Sequence, residues 1–316
     1  MNKNILTFLT AAVMTCSAIP ALNVSAAESG TCGENLTWTL DDSGTLTISG
    51  TGNMTDYVGM ASPFYERSDI HTVIIEQGVQ SLGYGAFYLC ENLTQVIIPD
   101  TVSYFGGRVF GETPWLEAKR AENPFVTVDG ILIDGAACEV AANIPDSVEY
   151  IGDAAFASCD SLTDITIPEG IRSIGRWAFS YCDQLTAVTI PSSVTKIGKA
   201  AFGDEESVTI KGYVKSEAER HARLYGMEFQ SLGLWKGDLN GNGKVEIDDA
   251  QTVLNIYVDG LSGMKSTLTT EQNKAADVSG DNEVSIDDAQ FILNYYVLNT
   301  VSDIPTAWGK LLANKY

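Results

Sequence analysis

The chain has 316 residues and a mass of 34.0 kDa, room for two domains of about 100–200 residues each. Apolar residues make up 45% and the mean hydropathy is +0.02, which excludes global disorder. The formal charge of −22 and an isoelectric point near 4.3 repel phosphate backbones and anionic lipid. Such a chain suits hard cations that take oxygen ligands. Only His71 and His221 are available for histidine chemistry.

Residues 1–26 read as a secretory signal. Lys3 supplies the positive start, Ile5 to Ala21 an apolar stretch, and Val24-Ser25-Ala26 a small-residue cleavage site. Thr15 before Cys16 is a poor fit to a lipid-attachment site. Removing the signal leaves 18 basic against 41 acidic residues, and five cysteines, Cys32, Cys90, Cys138, Cys159 and Cys182. An odd count in an exported chain argues against a full disulfide framework. No second apolar run reaches the roughly 18 residues of a membrane span, so the mature chain is expected to be secreted and soluble.

Next comes an internal repeat of 23 residues: I-T-I-P-E-G-I-R-S-I-G-R-W-A-F from Ile165 recurs as V-T-I-P-S-S-V-T-K-I-G-K-A-A-F from Val188. The same register catches the segments from Val73 and Val96, and places Phe87, Phe110, Phe156, Phe179 and Phe202 at equivalent points. The 46 residues between Phe110 and Phe156 are two periods, so one degenerate coil is expected around Val126 to Ile133. Each unit has a short β-branched strand, a Pro or Gly turn, a second apolar pair such as Val194 and Ile197, then Ala-Phe. No single unit can bury its apolar face, so the units must stack. This pattern, over roughly residues 70–210, resembles the BspA-like leucine-rich repeats of bacterial surface and secreted proteins. Cys90, Cys159 and Cys182 each follow a repeat phenylalanine by three residues and read as small apolar core residues, not nucleophiles. Cys32 and Cys138 lie outside the register, and whether they pair is left open.

Both solenoid ends need covers. Leu36, Trp38 and Leu40, a turn at Asp42-Ser43-Gly44, then Leu46 and Ile48 predict a β-hairpin cap. Ser216 with Glu219 opens a helix that Gly226 ends, with Ala218, Ala222 and Tyr225 facing inward and His221 as a surface or cap residue.

Beyond Leu232 a second repeat, of period 39, begins at Gly237 and Ala276. Each copy fits a twelve-residue calcium loop, in which oxygen ligands at alternate positions wrap the ion around a sharp turn. The first would use Asp238, Asn240, Asn242, the Lys244 carbonyl and Asp249, turning at Gly243; the second, Asp277, Ser279, Asp281, the Glu283 carbonyl and Asp288, turning at Asn282. Glu246 and Ser285, at position nine, are placed to reach the ion through water. Position twelve is Asp in both, and each loop is expected to be followed by one amphipathic helix and preceded by none. Two such loops with D-D-A-Q-x-x-L-N-x-Y resemble a type I dockerin, the calcium module that plugs proteins into the cohesins of a cellulosome scaffold.

That resemblance implies two Ca2+ ions, folding coupled to metal, and a cohesin module of a scaffoldin as partner. The implied cohesin face is Ile247, Asp248, Leu254 and Asn255, duplicated as Ile286, Asp287, Leu293 and Asn294, a symmetry that predicts two docking orientations. Trp235, Pro305 and Trp308 are placed to clasp the chain ends. No nucleophile elbow, phosphate loop, dinucleotide fingerprint or zinc-protease motif occurs, so no catalytic residue is assigned.

The expected fold class is α+β: residues 27–232 a leucine-rich-repeat solenoid with a β-hairpin N-cap and a helical C-cap, and residues 233–316 an all-α dockerin with two calcium loop–helix motifs. The expected role is a non-catalytic, secreted or cell-surface component of a cellulosome-like complex in plant polysaccharide breakdown. Its repeats would bind a protein or glycan, and Tyr57, Tyr65, Trp115 and Trp177 would each either supply contacts or pack against a cap. The alternative is a polysaccharide hydrolase or protease regulator carried on the same dockerin.

Overall fold

The computed structural model describes residues 26–57, 61–135, 144–203, 208–302 and 306–313. The proposed signal, Cys138 and Pro305 lie outside the described residues. Each repeat contributes two short strands to a solenoid. The first series is Thr72–Ile75 and Gln95–Ile97, then Asp164–Thr166, Ala187–Thr189 and Thr209–Gly212. The second is Val79–Leu82 and Tyr104–Phe105, then Tyr150–Ile151, Ser173–Ile174 and Lys196–Ile197. Pairing within each run is parallel and shifted by one repeat, with Val73 opposite Val96, Ile165 opposite Val188 and Ile174 opposite Ile197. Period-two alternation then buries Val73, Ile75, Ile165, Val188 and Ile210 on one face.

The phenylalanines form two stacks. Phe64, Phe87 and Phe110 lie 5.4 and 5.5 Å apart in near-parallel planes, and Phe156, Phe179 and Phe202 follow at 5.0 and 5.6 Å. Phe64 is a rung the repeat count omits, although it stands one period before Phe87. Each stack end that faces a cap meets an edge-on ring: Trp38 meets Phe64 at 81° and His221 meets Phe202 at 87°. Ring edges are electropositive and faces electronegative, so this closes a stack favourably. The cysteines serve the same column. Cys90 Sγ donates to the Phe64 carbonyl at 3.0 Å and Cys182 Sγ to that of Phe156 at 3.1 Å, and burial pushes the two thiols up to about 12 and about 11.

The glycine of each repeat marks where neighbouring coils pass closest. A Cβ on Gly106, Gly175 or Gly198 would stand 2.3–2.5 Å from the backbone nitrogen of Tyr84, Asp153 or Arg176 in the coil before. No larger residue fits there without displacing backbone.

Between the stacks the chain departs from a plain degenerate coil. Thr113 caps the helix Pro114–Glu122, and Trp115 is buried against Phe110 with centroids 4.6 Å apart, so Trp115 is core, not a surface contact. Val126–Val128 and Ile131–Asp134 form an antiparallel hairpin across Asp129 and Gly130, both at positive φ, a turn that reverses the chain. Ile131–Asp134 then pairs in parallel with Tyr150–Ile151 and takes the missing coil's place.

The amino-terminal cover is the expected hairpin, Leu36–Asp41 and Thr45–Gly50, joined on its outer edge by Ala26–Gly33 and on its inner edge by Thr72–Ile75. The carboxyl-terminal cover is the helix Glu217–Tyr225, with the Ser216 side chain as N-cap and Gly226 left-handed at its end. Ala218 and Ala222 face inward as expected. His221, at 1% exposure, takes the buried place that the helix pattern assigns to Tyr225, which is 39% exposed.

The last third is helical: Ile247–Leu261 and Ile286–Tyr296 pack on each other around Val253, Ala289 and Ile292. One expectation fails here. A helix, Thr270–Ala276, precedes the second loop, started by a Thr269–Gln272 capping box and filled with good helix formers. Trp308 is 4% exposed and stacks on Tyr295 at 4.2 Å and 12°, with Gly237 against the same indole. The chain ends therefore meet, but the ring that receives Trp308 is Tyr295 rather than Trp235.

Candidate calcium loops and docking face

Each loop is organised around its first and last carboxylate. Asp238 and Asp249 are 0% and 1% exposed. Asp238 accepts from the backbone N–H groups of Asn242 at 3.1 Å and Gly243 at 2.8 Å. Asp249 accepts from Leu239 at 2.9 Å and Glu246 at 2.8 Å. The second loop repeats the design: Asp277 accepts from Gly280, Asp281 and Asn282, and Asp288 from Ser279 at 2.9 Å and Ser285 at 2.8 Å. Ser279 also donates its hydroxyl to Asp277, which ties the two ends of that loop together.

Burial pushes the carboxyls of Asp238 and Asp249 above their usual range, and the nearby Asp238 charge adds to the rise at Asp249. Two ionised carboxylates buried side by side repel unless a cation compensates them. Oxygen donors and buried negative charge fit a hard divalent ion. Among the described residues no three His, Cys, Asp or Glu side chains converge as a metal cluster. Completing each expected set would fall to Asn240, Asn242, Ser279, Asp281 and the Lys244 and Glu283 carbonyls.

Position six behaves as its turn requires, with Gly243 at φ +82° and Asn282 at φ +68°. Gly243 is needed for space as well, since a Cβ there would stand 3.1 Å from Lys215 in the repeat domain's cap. A further role escapes the loop pattern. Position twelve is also the third residue of the following helix, so Asp249 and Asp288 each cap that helix by accepting from the Glu246 or Ser285 N–H. The signal was present, because position ten opens the helix in both copies. Glu246, placed by sequence near the ion, accepts from the Asn242 amide at 3.0 Å.

The implied cohesin face is open on both helices. Ile247 and Ile286 are 52% and 50% exposed, and Asp248 and Asp287 are exposed beside them. Leu254 and Leu293 are half-buried. Asn255 accepts from Gln251 at 2.9 Å and Asn294 from Gln290 at 3.0 Å, the same bond in each half. The two sets therefore agree in geometry as well as in sequence.

Comparison with family models settles what these parts are. The model for the BspA type leucine rich repeat region matches in six copies at residues 59–128 and 139–216. The model for the dockerin type I domain matches residues 236–296. The chain carries BspA-type leucine-rich repeats and a type I dockerin.

Among solved structures, the repeat dockerin chain is similar to a leucine-rich repeat protein from Eubacterium ventriosum, at 22% identity over 60% of this chain and 73% of that one, TM-score 0.27. It is similar to one from Bacteroides ovatus at 17% identity, covering 58% and 55%, TM-score 0.25. The leucine-rich repeat protein of T. pallidum matches at 17% identity, covering 63% and 97%, TM-score 0.22. No curated protein matches. Leucine-rich repeats and dockerins are non-catalytic modules, and no catalytic domain is found beside them. Among the described residues no helix is long and apolar enough to cross a membrane.

Proposed function

We propose that the chain is a secreted, non-catalytic component of a cellulosome-like complex in plant polysaccharide breakdown. Residues 233–316 form the dockerin, which docks a scaffoldin cohesin with two bound Ca2+ ions, and residues 27–232 present a ligand-binding surface for a protein or glycan. Asp238, Asn240, Asn242, the Lys244 carbonyl and Asp249 hold one ion; Asp277, Ser279, Asp281, the Glu283 carbonyl and Asp288 hold the other. Ile247, Asp248, Leu254 and Asn255, with Ile286, Asp287, Leu293 and Asn294, meet the cohesin.

The observation that carries this reading is the duplicated pair of buried carboxylates, Asp249 and Asp288 at 1% and 0% exposure, each beneath an exposed isoleucine–aspartate step. A bound cation would neutralise the loops and fix the helices that display the docking residues. A panel of cohesins tested with and without a calcium chelator decides it. Binding to at least one cohesin, lost on chelation, is expected, and calcium-independent binding or none overturns the reading.

A further inference from the structure

Among the described residues, five coils have left-handed backbone two residues before the ladder phenylalanine, and five have it two residues after. The first place is filled by Gly85, Arg108, Ala154, Trp177 and Ala200, the second by Glu66, Leu89, Glu112, Ser158 and Tyr181, all at φ between +49° and +63°. An L side chain costs about 1–2 kcal/mol there, and a bulky aromatic is an outlier. One coil carries an aromatic at both places. Neither ring serves the core, for Trp177 is 39% and Tyr181 70% exposed.

Both rings line a cleft of about 420 Å3, with Asp56, Tyr57, Tyr84 and Arg108 opposite them. Small-molecule sites span about 300–1,000 Å3. The cleft continues past Tyr84 and Arg108 onto Tyr65 and Tyr88, whose rings stack at 6.2 Å and 12°. The Trp177 indole is held in place: Tyr84 meets it edge-on at 6.1 Å, and the Arg176 guanidinium stands 5.6 Å from its centroid. Asp56 accepts from the Tyr84 N–H at 2.8 Å and from Arg176 at 3.1 Å, and each carboxylate oxygen keeps capacity for another donor. Among the described residues the Arg108 guanidinium makes one long bond, 3.4 Å to Ser158, which leaves other N–H donors of its fork for a ligand.

We propose that this cleft binds a neutral oligosaccharide, its pyranose rings laid on Trp177 and Tyr181 and its hydroxyls shared between Asp56 and Arg108. The inference rests on the reading of the repeats as the ligand-binding half of the chain. A pyranose has an apolar C–H face for an aromatic ring and a rim of hydroxyls that both give and accept. Two carboxylates, Asp56 and Asp153, balance two guanidiniums, Arg108 and Arg176, which favours a neutral chain over a charged one. A proline-rich strand also fits aromatic grooves but has no N–H to give Asp56, and a polyanion meets that carboxylate.

The test is affinity electrophoresis of the full secreted chain through gels holding mixed-linkage β-glucan, xyloglucan, arabinoxylan or glucomannan. Polygalacturonate gels and a decaproline titration serve as rival probes. Trp177→Ala and Tyr181→Ser copy what other coils carry at these places, Ala154, Ala200 and Ser158, so the fold is retained, and thermal unfolding checks that it is. Retardation by at least one neutral polysaccharide is expected, with affinity falling about tenfold or more in the double variant and cohesin binding unchanged. Retardation that survives the double variant overturns the cleft assignment. Binding of decaproline or polygalacturonate alone, or of no probe, overturns the oligosaccharide. Failure of the wild-type chain to bind any cohesin would instead count against the reading of the whole protein.

Discussion

Arg176 and Asp56, 120 residues apart in the chain, meet at 3.1 Å across the junction of the two halves of the solenoid. The same guanidinium bonds Asp153 at 2.9 Å, and Tyr104 donates to Asp153 at 2.6 Å. Asp153 is 5% exposed, so Arg176 compensates a nearly buried carboxylate while tying the two phenylalanine stacks together.

Arg176→Ala leaves Asp153 without its cation. Losing one partner of a fully buried pair costs about 3–5 kcal/mol. Arg176 is 38% exposed, so water screens part of this and about 1–3 kcal/mol is expected. Urea unfolding of the repeat-domain transition measures it, and a midpoint equal to wild type would contradict the clamp.

His221 makes the repeat domain acid-sensitive. Burial against Phe202 pushes its imidazole from 6.5 down to about 4, with Glu217 raising it and Arg220 lowering it by smaller amounts. Below pH 6.5 the unfolded chain takes up a proton that the folded one refuses until about pH 4. The contribution is therefore whole above 6.5 and lost progressively down to 4, at most about 3 kcal/mol in all. His221→Phe keeps an edge-on ring against Phe202 without the titration. Its melting temperature should fall less between those pH values than that of wild type, and identical slopes would contradict the assignment.

The ladder thiols are expected to be inert. Cys90 and Cys182, hydrogen-bonded to ladder carbonyls and buried, should react with iodoacetamide only once the solenoid unfolds. Labelling of either in the native chain at the rate of a small thiol would show that the coils open locally.

Much of this was legible in the sequence because the solenoid is periodic. A 23-residue phase fixes the strands, the phenylalanine stacks and the cysteines at once, and the Asx-rich loops announce themselves by spacing. The junction was not legible. Arg176, Asp56 and Tyr104 come together because the chain leaves the repeat at Thr113, where a capped helix and an Asp-Gly hairpin intervene, and no local pattern records which distant residues then meet. Tyr84, Arg108 and Tyr181 escaped notice for the same reason, although an aromatic at a left-handed repeat position was a signal. For His221 the sequence left surface and cap both open, and the end of the Phe202 stack explains why the cap place is taken and buried.

The duplicated docking face predicts tolerance to one-sided damage. Ile247→Ala with Asp248→Ala should weaken cohesin binding only modestly, as should the matching change at Ile286 and Asp287, while all four together abolish it. Calorimetry against one cohesin separates the cases. Complete loss from one pair with no effect of the other would contradict dual docking.

The central claim, calcium-organised docking, is tested most directly by titrating a responsive cohesin into the full chain in calcium, comparing wild type with the Asp238→Ala/Asp277→Ala variant. The account predicts one cohesin bound per wild-type chain, no binding by the variant, and a loss of helical circular dichroism in the variant matching that of chelated wild type. Binding by the variant with unchanged affinity and helix content would contradict it.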